Sequence, residues 1–369
     1  MRILLLADIN AEHIEKWACS LSAKGIDIGI FSFNRAHYDW YSNNKKIKVL
    51  YQPDKISDHV SSFQKLLYVF YLPRLKKAIK EFAPDILHAH SASSYGMLGG
   101  LSGFHPFVIS VWGSDVYEFP GKFFGNEALL KKNLASADTI LSTSFSMKER
   151  AKKFTSSDIS VIPFGVDLNE FRTRPVDSIF ESGTFVIGTI KALEEIYGIN
   201  YLIEAFSNLK NKYPQKKIKL LIVGAGSMET EYKELANKLN VQNNIVFTGR
   251  VQHSEVPKYH NMIDAYVALS KNESFGVSLV EAMACGKPSV VTAVSGFKEI
   301  VGDSKCAEFV EVDSSEDAVR GIEKLFLDNE LRVTMGQNAR KRVELLYDWN
   351  KNVEQMIDVY IKVKQGENN

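Results

Sequence analysis

Short apolar runs alternate along the chain with longer segments in which apolar residues recur at helical spacing. The first half contains the runs RILLLAD, IDIGIFSF, DILHAH, FVISVWG, TILSTS and SVIPFG. The alternation restarts after residue 183 with TFVIGTI, IKLLIVGAG, NIVFTGR and DAYVALS, and amphipathic segments such as NYLIEAFSNLKNKYP lie between them. Strands that alternate with helices form parallel sheets covered by helices on both faces. The two series therefore predict an α/β protein with two Rossmann-like domains.

The residues that follow the predicted strands are the first candidates for a binding site. Ligands of open α/β sheets bind beyond the carboxyl ends of the strands, and with two such domains we expect the site in the cleft between them. Gly224-Ala225-Gly226 is similar to a dinucleotide fingerprint, but Glu229 occupies the third small position, so we interpret it as a close approach to a ligand other than NAD. The further residues at strand ends are His90, Asp115, Lys191, Arg250 and Val251.

The segment ESFGVSLVEAMACGKP, residues 273–288, predicts a loop followed by a short helix. Ser278 and Glu281 have the spacing of a capping box, which starts a helix near Leu279. The Gly-Lys-Pro at the end stops it after roughly two turns, because glycine suits the left-handed position and proline cannot continue a helix. The loop exposes N–H groups at a helix N-terminus, which is an anion site. From this segment alone, the alternative to a functional role is that Glu281 only caps its helix and that Glu273 is a solvated loop residue.

Composition indicates an ordinary soluble globular protein. The 369 residues are 45% hydrophobic and 24% charged, and no apolar run approaches the roughly 18 residues of a membrane span. The opening MRILLLADIN is interpreted as a first strand and not as a signal peptide. Cys19, Cys285 and Cys306 have no metal-binding or redox spacing, which favours reduced thiols in the cytoplasm.

Charge is distributed unevenly between the two halves. Residues 1–176 carry 22 Lys and Arg against 17 Asp and Glu, and residues 177–369 carry 23 against 27. The basic half suggests an anionic partner such as a lipid surface, or it is chance asymmetry. Within residues 64–82, basic residues at Arg74, Lys77 and Lys80 flank an apolar stretch that either contacts a bilayer or is an amphipathic helix facing the core. The sequence has no concentrated patch of basic and aromatic residues, so it does not predict nucleic-acid binding.

Taken together, these segments resemble the retaining glycosyltransferases of family 4, which have the GT-B fold. The resemblance extends over essentially the whole chain. VIPFGVDLNEF is similar to the segment after the first domain, with Phe164 where asparagine is usual, and WNKNVEQMIDVYIKV is similar to the terminal helix. The most specific match is the motif E-x-x-F-G-x-x-x-x-E-A-M-A-x-G-x-P, present as Glu273, Phe275, Gly276, Glu281, Ala282, Met283, Ala284, Gly286 and Pro288.

The resemblance implies a division of labour between the two domains. Residues 1–168 would bind the acceptor, and the helix 350–369 would cross back onto them. Residues 169–349 would bind the nucleotide sugar, facing the first domain across a cleft.

For the donor, the resemblance implies roles for individual residues. Glu281 would accept hydrogen bonds from both ribose hydroxyls, for which its two oxygens are suited. Glu273 would lie beside the donor sugar and its developing positive charge, and Lys191 would neutralise the diphosphate. The backbone near the helix start would hold phosphate or sugar hydroxyls through Ser274, Phe275, Gly276 and Val277.

For the first domain, the resemblance implies an active-site histidine at His90 in the HAH segment. This residue would contact the donor sugar or the leaving phosphate, or it is a core histidine. His13 and Asp115 would contact the acceptor, with a structural role equally open for each. We expect His88 to point to the other face of the strand and to be structural.

Two departures from the family pattern concern the phosphate clamp. Lys191 stands where arginine is usual, and Tyr197 stands where lysine is usual, so one cation remains and it is a point charge. A charged hydrogen bond is worth about 1.5–3 kcal/mol, so the missing cation costs about one to two orders of magnitude, which one hydrogen bond from Tyr197 would partly offset. No D-x-D motif occurs. We therefore expect no metal and no cofactor, with the helix dipole, N–H groups and Lys191 stabilising the leaving group.

The expected reaction is transfer of a hexosyl or N-acetylhexosaminyl group, with retention, from a nucleotide sugar. The first expectation for the nucleotide is UDP. The acceptor would be a hydroxyl of a glycan or lipid-linked glycan in surface polysaccharide or lipopolysaccharide biosynthesis, at the inner face of the membrane. Two alternatives stay open. A nucleotide-sugar 2-epimerase would turn over the donor without acceptor, and a non-catalytic partner of a transferase would bind the donor without turnover.

Overall fold

The computed structural model describes residues 1–54 and 64–367, and the chain divides into two compact units. One contains Met1–Pro163 and the C-terminal residues from Lys351, and the other is Phe164–Asn350. This division falls a few residues before the predicted boundary at 168. The reason is a short bridge at Val166, whose N–H donates to the Tyr347 carbonyl at 2.9 Å and whose carbonyl accepts from Trp349 at 3.1 Å.

The described residues of the N-terminal unit form a seven-stranded sheet with the order β3-β2-β1-β4-β5-β6-β7, and its neighbouring strands are parallel. The strands are β1 (Arg2–Leu6), β2 (Asp27–Phe31), β3 (Ile47–Tyr51), β4 (Ile86–His90), β5 (Phe107–Val111), β6 (Thr139–Ser142) and β7 (Ile159–Val161). The helices are α1 (Glu12–Ala23), α2 (Leu72–Phe82), α3 (Ser94–Ser102), α4 (Ser114–Tyr117), α5 (Phe119–Lys122), α6 (Asn126–Ala135) and α7 (Phe145–Ala151).

The described residues of the C-terminal unit form a six-stranded parallel sheet with the order β10-β9-β8-β11-β12-β13. Its strands are β8 (Phe185–Ile190), β9 (Ile218–Val223), β10 (Ile245–Phe247), β11 (Ala265–Ala268), β12 (Ser289–Thr292) and β13 (Ala307–Val310). Its helices are α8 (Ile199–Lys212), α9 (Glu229–Lys238), α10 (Val256–Met262), α11 (Val277–Ala284), α12 (Ser295–Val301), α13 (Ser315–Leu327) and α14 (Asn329–Leu346).

Continuous apolar runs form most strands of the two sheets because helices cover both faces. In β1, the side chains of Ile3, Leu4, Leu5 and Leu6 are all fully buried. A parallel sheet covered on both faces needs apolar residues at successive positions and not an alternating pattern. Both sheets have the order of a Rossmann fold, so the prediction of two Rossmann-like domains is confirmed.

The last helix, α15 (Trp349–Gln365), packs on the N-terminal unit as the resemblance implied. The Tyr360 hydroxyl is 2.7 Å from Nδ1 of His88 in β4, and both side chains are buried. Lys364 pairs with Asp85 at 2.9 Å. A buried hydrogen bond together with this ion pair ties the end of the chain to the first sheet.

In each sheet the strand order reverses at one place, where ligands of such folds bind. In the N-terminal unit the reversal lies between β1 and β4, and in the C-terminal unit it lies between β8 and β11. His90 is the last residue of β4, and His13 lies in the first turn of α1, the helix that follows β1. Lys191 directly follows β8, and Glu273 lies in the loop after β11. The strand order therefore places four predicted site residues at the two reversal points.

The segment 64–82, predicted either to contact a bilayer or to face the core, comprises a 3₁₀-helix, Gln64–Tyr71, and α2. The side chains of residues 64–67 lie outside the described part of the chain. Helix α2 buries Leu75, Ala78 and Phe82 and leaves Lys77 and Lys80 exposed, which is the pattern of an amphipathic helix on its own sheet. Over the described ranges, every helix is too short or too polar to span a bilayer.

Candidate active site

The strongest contact at the C-terminal reversal point joins Lys191 to Glu273. Lys191 directly follows β8, and Glu273 lies in the loop between β11 and α11. The Lys191 ammonium donates to Oε2 of Glu273 at 2.6 Å, and the Ser270 hydroxyl donates to the same oxygen at 3.3 Å. The two side chains are 11% and 12% exposed. Lys191, which we predicted at the diphosphate, therefore forms an ion pair with the predicted sugar-contacting carboxylate.

The helix beyond Glu273 starts differently from the prediction. Helix α11 begins at Val277 after Gly276, and no side chain caps it. The capping box is wrong because both of its members are bonded elsewhere. The Ser278 hydroxyl pairs with the Tyr266 hydroxyl at 2.7 Å, and Glu281 contacts histidines from another segment. The N–H groups of the first turn thus lack a side-chain cap, which leaves the anion site that the prediction required.

Gly276 is required by space as well as by backbone conformation. Its φ is +110°, and a Cβ there would lie 2.8 Å from the Phe297 ring. The neighbouring Phe275 side chain is buried and packs edge-on against Phe164 and Tyr347. The core therefore holds the side chain of Phe275, while the loop backbone from Ser274 to Val277 leads into the start of α11.

Glu281 is a buried carboxylate held by two histidines. It is 6% exposed, and Oε1 accepts from Nε2 of His253 at 3.0 Å. Nε2 of His260 lies 3.7 Å from Oε2, which is too long for a hydrogen bond. Burial by itself would raise the pKa of the Glu281 carboxyl, but the hydrogen bond from His253 and the proximity of His260 lower it to about 2. The carboxylate is therefore ionised and oriented before any ligand binds.

The two histidines were not among the predicted site residues. His253 lies in a 3₁₀-turn after β10, and His260 lies in α10 and is fully buried. Neither ring nitrogen of His260 has a hydrogen-bond partner among the described residues, and burial lowers its pKa. The seven-residue spacing of the two residues on adjoining helical turns was the available signal, since it places both on one face.

The glycine loop after β9 serves the protein backbone. Gly224 has φ +138°, and a Cβ there would lie 1.9 Å from the Lys191 carbonyl oxygen. Its N–H donates to the Gly249 carbonyl at 3.0 Å, and Lys191 N–H donates to Val223 at 2.9 Å. The protein backbone occupies the space of a Cβ at Gly224, and the close approach of this glycine to a ligand stays a prediction. Gly224, which follows β9, therefore packs against the loop after β8 and is hydrogen-bonded to the loop after β10.

Arg250 and Val251 lie in this loop after β10. Arg250 is exposed, and Val251 is half-buried against the core of the unit. Because Gly224 bridges to Gly249, these two residues are held at the same edge of the sheet as Lys191. The structure thus brings the predicted donor residues of this unit to one edge of the sheet.

In the N-terminal unit, His90 and His13 both contact Trp112. His90 ends β4, and its ring centroid is 5.1 Å from that of Trp112, at an edge-on angle. His13, in the first turn of α1, is 5.3 Å from Trp112. His90 is 6% exposed, and neither of its ring nitrogens has a hydrogen-bond partner in the described ranges. Burial, together with the charge of His13, lowers the pKa of His90 to about 3. His90 is therefore a neutral donor and acceptor without a hydrogen-bond partner in the described part of the chain.

His88 and His90 share one face of β4, so the predicted opposite orientation of His88 is wrong. Residues two apart in a strand point the same way. Their ring centroids are 4.2 Å apart. The structural role predicted for His88 agrees with its contacts, because it bonds Tyr360 at 2.7 Å and Ser110 at 2.8 Å.

Asp115 braces the loops that follow β4 and β5. Its side chain is buried, and its carboxylate accepts from the N–H groups of Ala92 at 2.8 Å, Gly113 at 2.9 Å and Trp112 at 3.1 Å. Burial raises the pKa of the Asp115 carboxyl despite these bonds. This geometry favours a loop-holding role over the acceptor contact that the resemblance implied.

Two Rossmann-like sheets, one with a lysine–carboxylate pair beside an uncapped helix at its reversal point, are the architecture of the GT-B class. Sequence comparison agrees over both units. Residues 172–342 match the family of glycosyl transferases group 1, and residues 2–144 match the glycosyl transferase 4-like family. The chain belongs to the group 1 glycosyltransferases with the GT-B fold.

Individual relatives match to different extents. EpsD of Bacillus subtilis is 31% identical over 206 residues, which is 53% of each chain. An uncharacterized glycosyltransferase of Methanocaldococcus jannaschii is 26% identical over 340 residues, 89% of each chain. The phosphatidyl-myo-inositol mannosyltransferase of Mycolicibacterium smegmatis is 28% identical over 78% of this chain and 73% of its own.

Among solved structures, HepE of Anabaena in complex with UDP and glucose has the same fold. The TM-score is 0.76 at 19% identity, and the match covers 97% of this chain and 99% of HepE. At this identity the likeness concerns the fold alone.

Proposed function

We propose that the protein transfers a hexosyl or N-acetylhexosaminyl group, with retention, from a nucleoside-diphosphate sugar to an acceptor hydroxyl. UDP is the proposed nucleotide. The observation that carries the proposal is the preformed Glu281 carboxylate on the helix whose uncapped start follows the Lys191–Glu273 pair. The complex of HepE with UDP, a protein of the same fold, supports the choice of nucleotide.

Donor binding follows from the charges at this edge of the sheet. Glu281 would accept hydrogen bonds from the ribose hydroxyls, since its carboxylate is already ionised and oriented. The diphosphate would accept hydrogen bonds from the N–H groups at the start of α11 and from the ammonium of Lys191. Residues at the ends of β9 and β10, namely Gly224, Arg250 and Val251, would shape the nucleoside side.

The proposed reaction is a front-face substitution. The bond from the anomeric carbon to the phosphate oxygen breaks, and the electron pair leaves with the diphosphate. The acceptor oxygen bonds to the anomeric carbon on the same face, and its proton passes to the leaving phosphate. Glu273 would stabilise the positive charge that develops on the sugar, and Lys191 would stabilise the leaving group. Metal is not required in this scheme because helix and lysine supply the positive charge.

In the N-terminal unit, we propose substrate contacts for His90 and His13. His90 is neutral, buried and without a protein partner in the described ranges, so it is suited to bind a sugar hydroxyl or a phosphate oxygen. His13 would contact the acceptor. The acceptor would be a glycan or lipid-linked glycan of a surface polysaccharide, reached at the cytoplasmic face of the membrane. The name of the mycolicibacterial mannosyltransferase and the basic charge of residues 1–176 support a lipid acceptor.

The test is a thermal-shift panel of UDP-, GDP-, ADP- and CMP-linked sugars on the wild type, Glu281→Ala and Glu316→Ala. Glu316 is an exposed glutamate of α13 and serves as the matched control. A ligand at about 100 times its Kd stabilises by about 2.7 kcal/mol, which raises Tm by several degrees. We expect a shift with UDP-sugars that Glu281→Ala abolishes and Glu316→Ala keeps. A protein that responds to none of the donors would contradict the proposal.

Turnover separates the remaining alternatives. Release of UDP that depends on an added acceptor is expected from a transferase. Conversion of the donor to its 2-epimer without acceptor would identify an epimerase. Binding without either reaction would identify a non-catalytic partner.

A further inference from the structure

The Tyr197 ring lies against the ammonium of Lys191. The Lys191 Nζ is 4.4 Å from the centroid of the ring, and Tyr197 is half-buried. At this distance an ammonium is attracted to the face of an aromatic ring, and the attraction grows as water is excluded. The same ammonium bonds Glu273 at 2.6 Å. Lys191 is therefore held from two directions, by a carboxylate and by a ring.

The backbone fixes this ring relative to the loop that carries Glu273. Tyr197 ends the one-turn 3₁₀-helix Glu195–Tyr197, and the Lys271 N–H donates to the Ile196 carbonyl at 2.8 Å. Gly198 follows with φ +64°, and a Cβ there would lie 2.2 Å from the Leu269 carbonyl oxygen. The segment that presents the ring is thus pinned to the loop after β11.

The ring leaves the ammonium able to serve a ligand. An ammonium has three N–H donors, and Glu273 takes one of them. Burial, together with the charge of Glu273, raises the pKa of the Tyr197 hydroxyl, so the ring stays neutral beside the pair. The side chain of lysine is flexible and binds as a point charge, so its contribution depends on where it is held.

We propose that Tyr197 is a positioning residue whose ring holds the Lys191 ammonium at the diphosphate site. A second cation at this position would strengthen diphosphate binding by its charge. The Tyr197 ring would instead strengthen it by holding the Lys191 ammonium in place. The inference rests on the proposed function, since it assumes that Lys191 binds a nucleoside diphosphate. It differs from a hydrogen bond by the Tyr197 hydroxyl to phosphate, which would make the hydroxyl and not the ring the important group.

The experiment measures binding of UDP and of uridine by calorimetry to the wild type, Tyr197→Phe and Tyr197→Leu. Tyr201→Leu is the matched control, because Tyr201 lies on adjoining α8 and its ring centroid is 6.0 Å from Lys271. We expect Tyr197→Leu to raise the Kd for UDP about 5- to 30-fold and to leave uridine unchanged. Tyr197→Phe and Tyr201→Leu should stay within about twofold of the wild type.

A double-mutant cycle with Lys191→Met separates positioning from a general structural effect. If the ring acts through the lysine, Tyr197→Leu has no further effect on UDP binding once Lys191 is replaced. An equal loss in both backgrounds would overturn the inference, as would equal losses for UDP and uridine. Weak binding by Tyr197→Phe would overturn it in favour of the hydroxyl. A wild type that binds none of UDP, GDP and ADP would instead refute the proposed function itself.

Discussion

Replacing Glu281 with glutamine removes one charge from the donor site with little change of shape. In the wild type, Oε1 accepts from His253 at 3.0 Å, and a glutamine carbonyl can accept the same bond. Hydrogen bonds from ribose hydroxyls to a carboxylate are charge-assisted and worth about 1.5–3 kcal/mol, against about 0.5–1.5 kcal/mol for neutral ones. Two such bonds lose about 2–3 kcal/mol, so the Kd for UDP should rise about 30- to 150-fold.

Calorimetry with two ligands tests the reasoning. UDP and 2′,3′-dideoxy-UDP are titrated into the wild type, Glu281→Gln and the control Glu316→Gln. The wild type should prefer UDP over the dideoxy ligand, and Glu281→Gln should lose most of that preference, because the carboxylate is the group that reads the hydroxyls. A Glu281→Gln variant that binds UDP within about threefold of the wild type would refute the assignment. So would a variant that keeps the full preference.

The same substitution has a pH-dependent effect on stability. The pKa of Glu281 is lowered from 4.5 to about 2 in the folded protein, so its ionised form contributes stability above pH 4.5. This contribution of up to about 3 kcal/mol is lost as pH falls from 4.5 towards 2. The difference in free energy of unfolding between wild type and Glu281→Gln should therefore shrink across that window in urea titrations. A difference that is independent of pH would show that the histidines do not lower this pKa.

Three further substitutions test other parts of the structure. His90→Phe should reduce the loss of stability on acidification, measured by urea unfolding at pH 7 and 5. In the unfolded state His90 takes a proton below pH 6.5, and in the folded state only near pH 3, so the wild type loses about 1.4 kcal/mol of stability per pH unit between these values. An unchanged pH dependence in His90→Phe would contradict this. Gly224→Ala should cost at least about 2 kcal/mol in thermal unfolding, because its Cβ would meet the Lys191 carbonyl oxygen at 1.9 Å. The control Gly249→Ala has φ +70° but open space and should cost only about 1 kcal/mol; equal costs would contradict the clash. Tyr360→Phe should lower the free energy of unfolding, measured by urea titration, by about 1–3 kcal/mol, because it leaves His88 Nδ1 buried without its partner. An unchanged free energy of unfolding would show that this hydrogen bond does not stabilise the fold.

The fold could be predicted from the sequence because its determinants are local. Most strands of the two sheets are runs of apolar residues, and helical spacing marks the segments between them. The edge strands β3 and β13 contain Lys48 and Glu308, are partly exposed, and were not among the predicted runs. In β1, for example, four successive residues are fully buried, as a sheet covered on both faces requires. Alternation of the two patterns then leaves few arrangements besides two parallel sheets.

The site was predictable in its residue types and less so in its contacts. The reversal of strand order explains why Lys191 and Glu273 lie together, since both follow strands at that point. The capping box failed because contacts remote in sequence took both of its members: Tyr266 bonds Ser278, and His253 bonds Glu281. Local spacing cannot show that a partner from another strand or turn offers a better hydrogen bond. For the same reason, the glycine spacing could not show that a Cβ at Gly224 would meet the Lys191 carbonyl oxygen.

The most direct measurement of the central claim is proton NMR of the protein mixed with α-linked UDP-sugars, followed before the released sugar can mutarotate. The proposed retaining transferase should release UDP and give a product, or a slowly hydrolysed sugar, that carries the α-anomeric signal. Glu281→Gln should slow the release, and Glu316→Gln should not. A β-anomeric product would contradict retention. A protein that binds UDP but never releases it from any UDP-sugar, with or without glycan acceptors, would contradict the assignment as a UDP-sugar-dependent transferase.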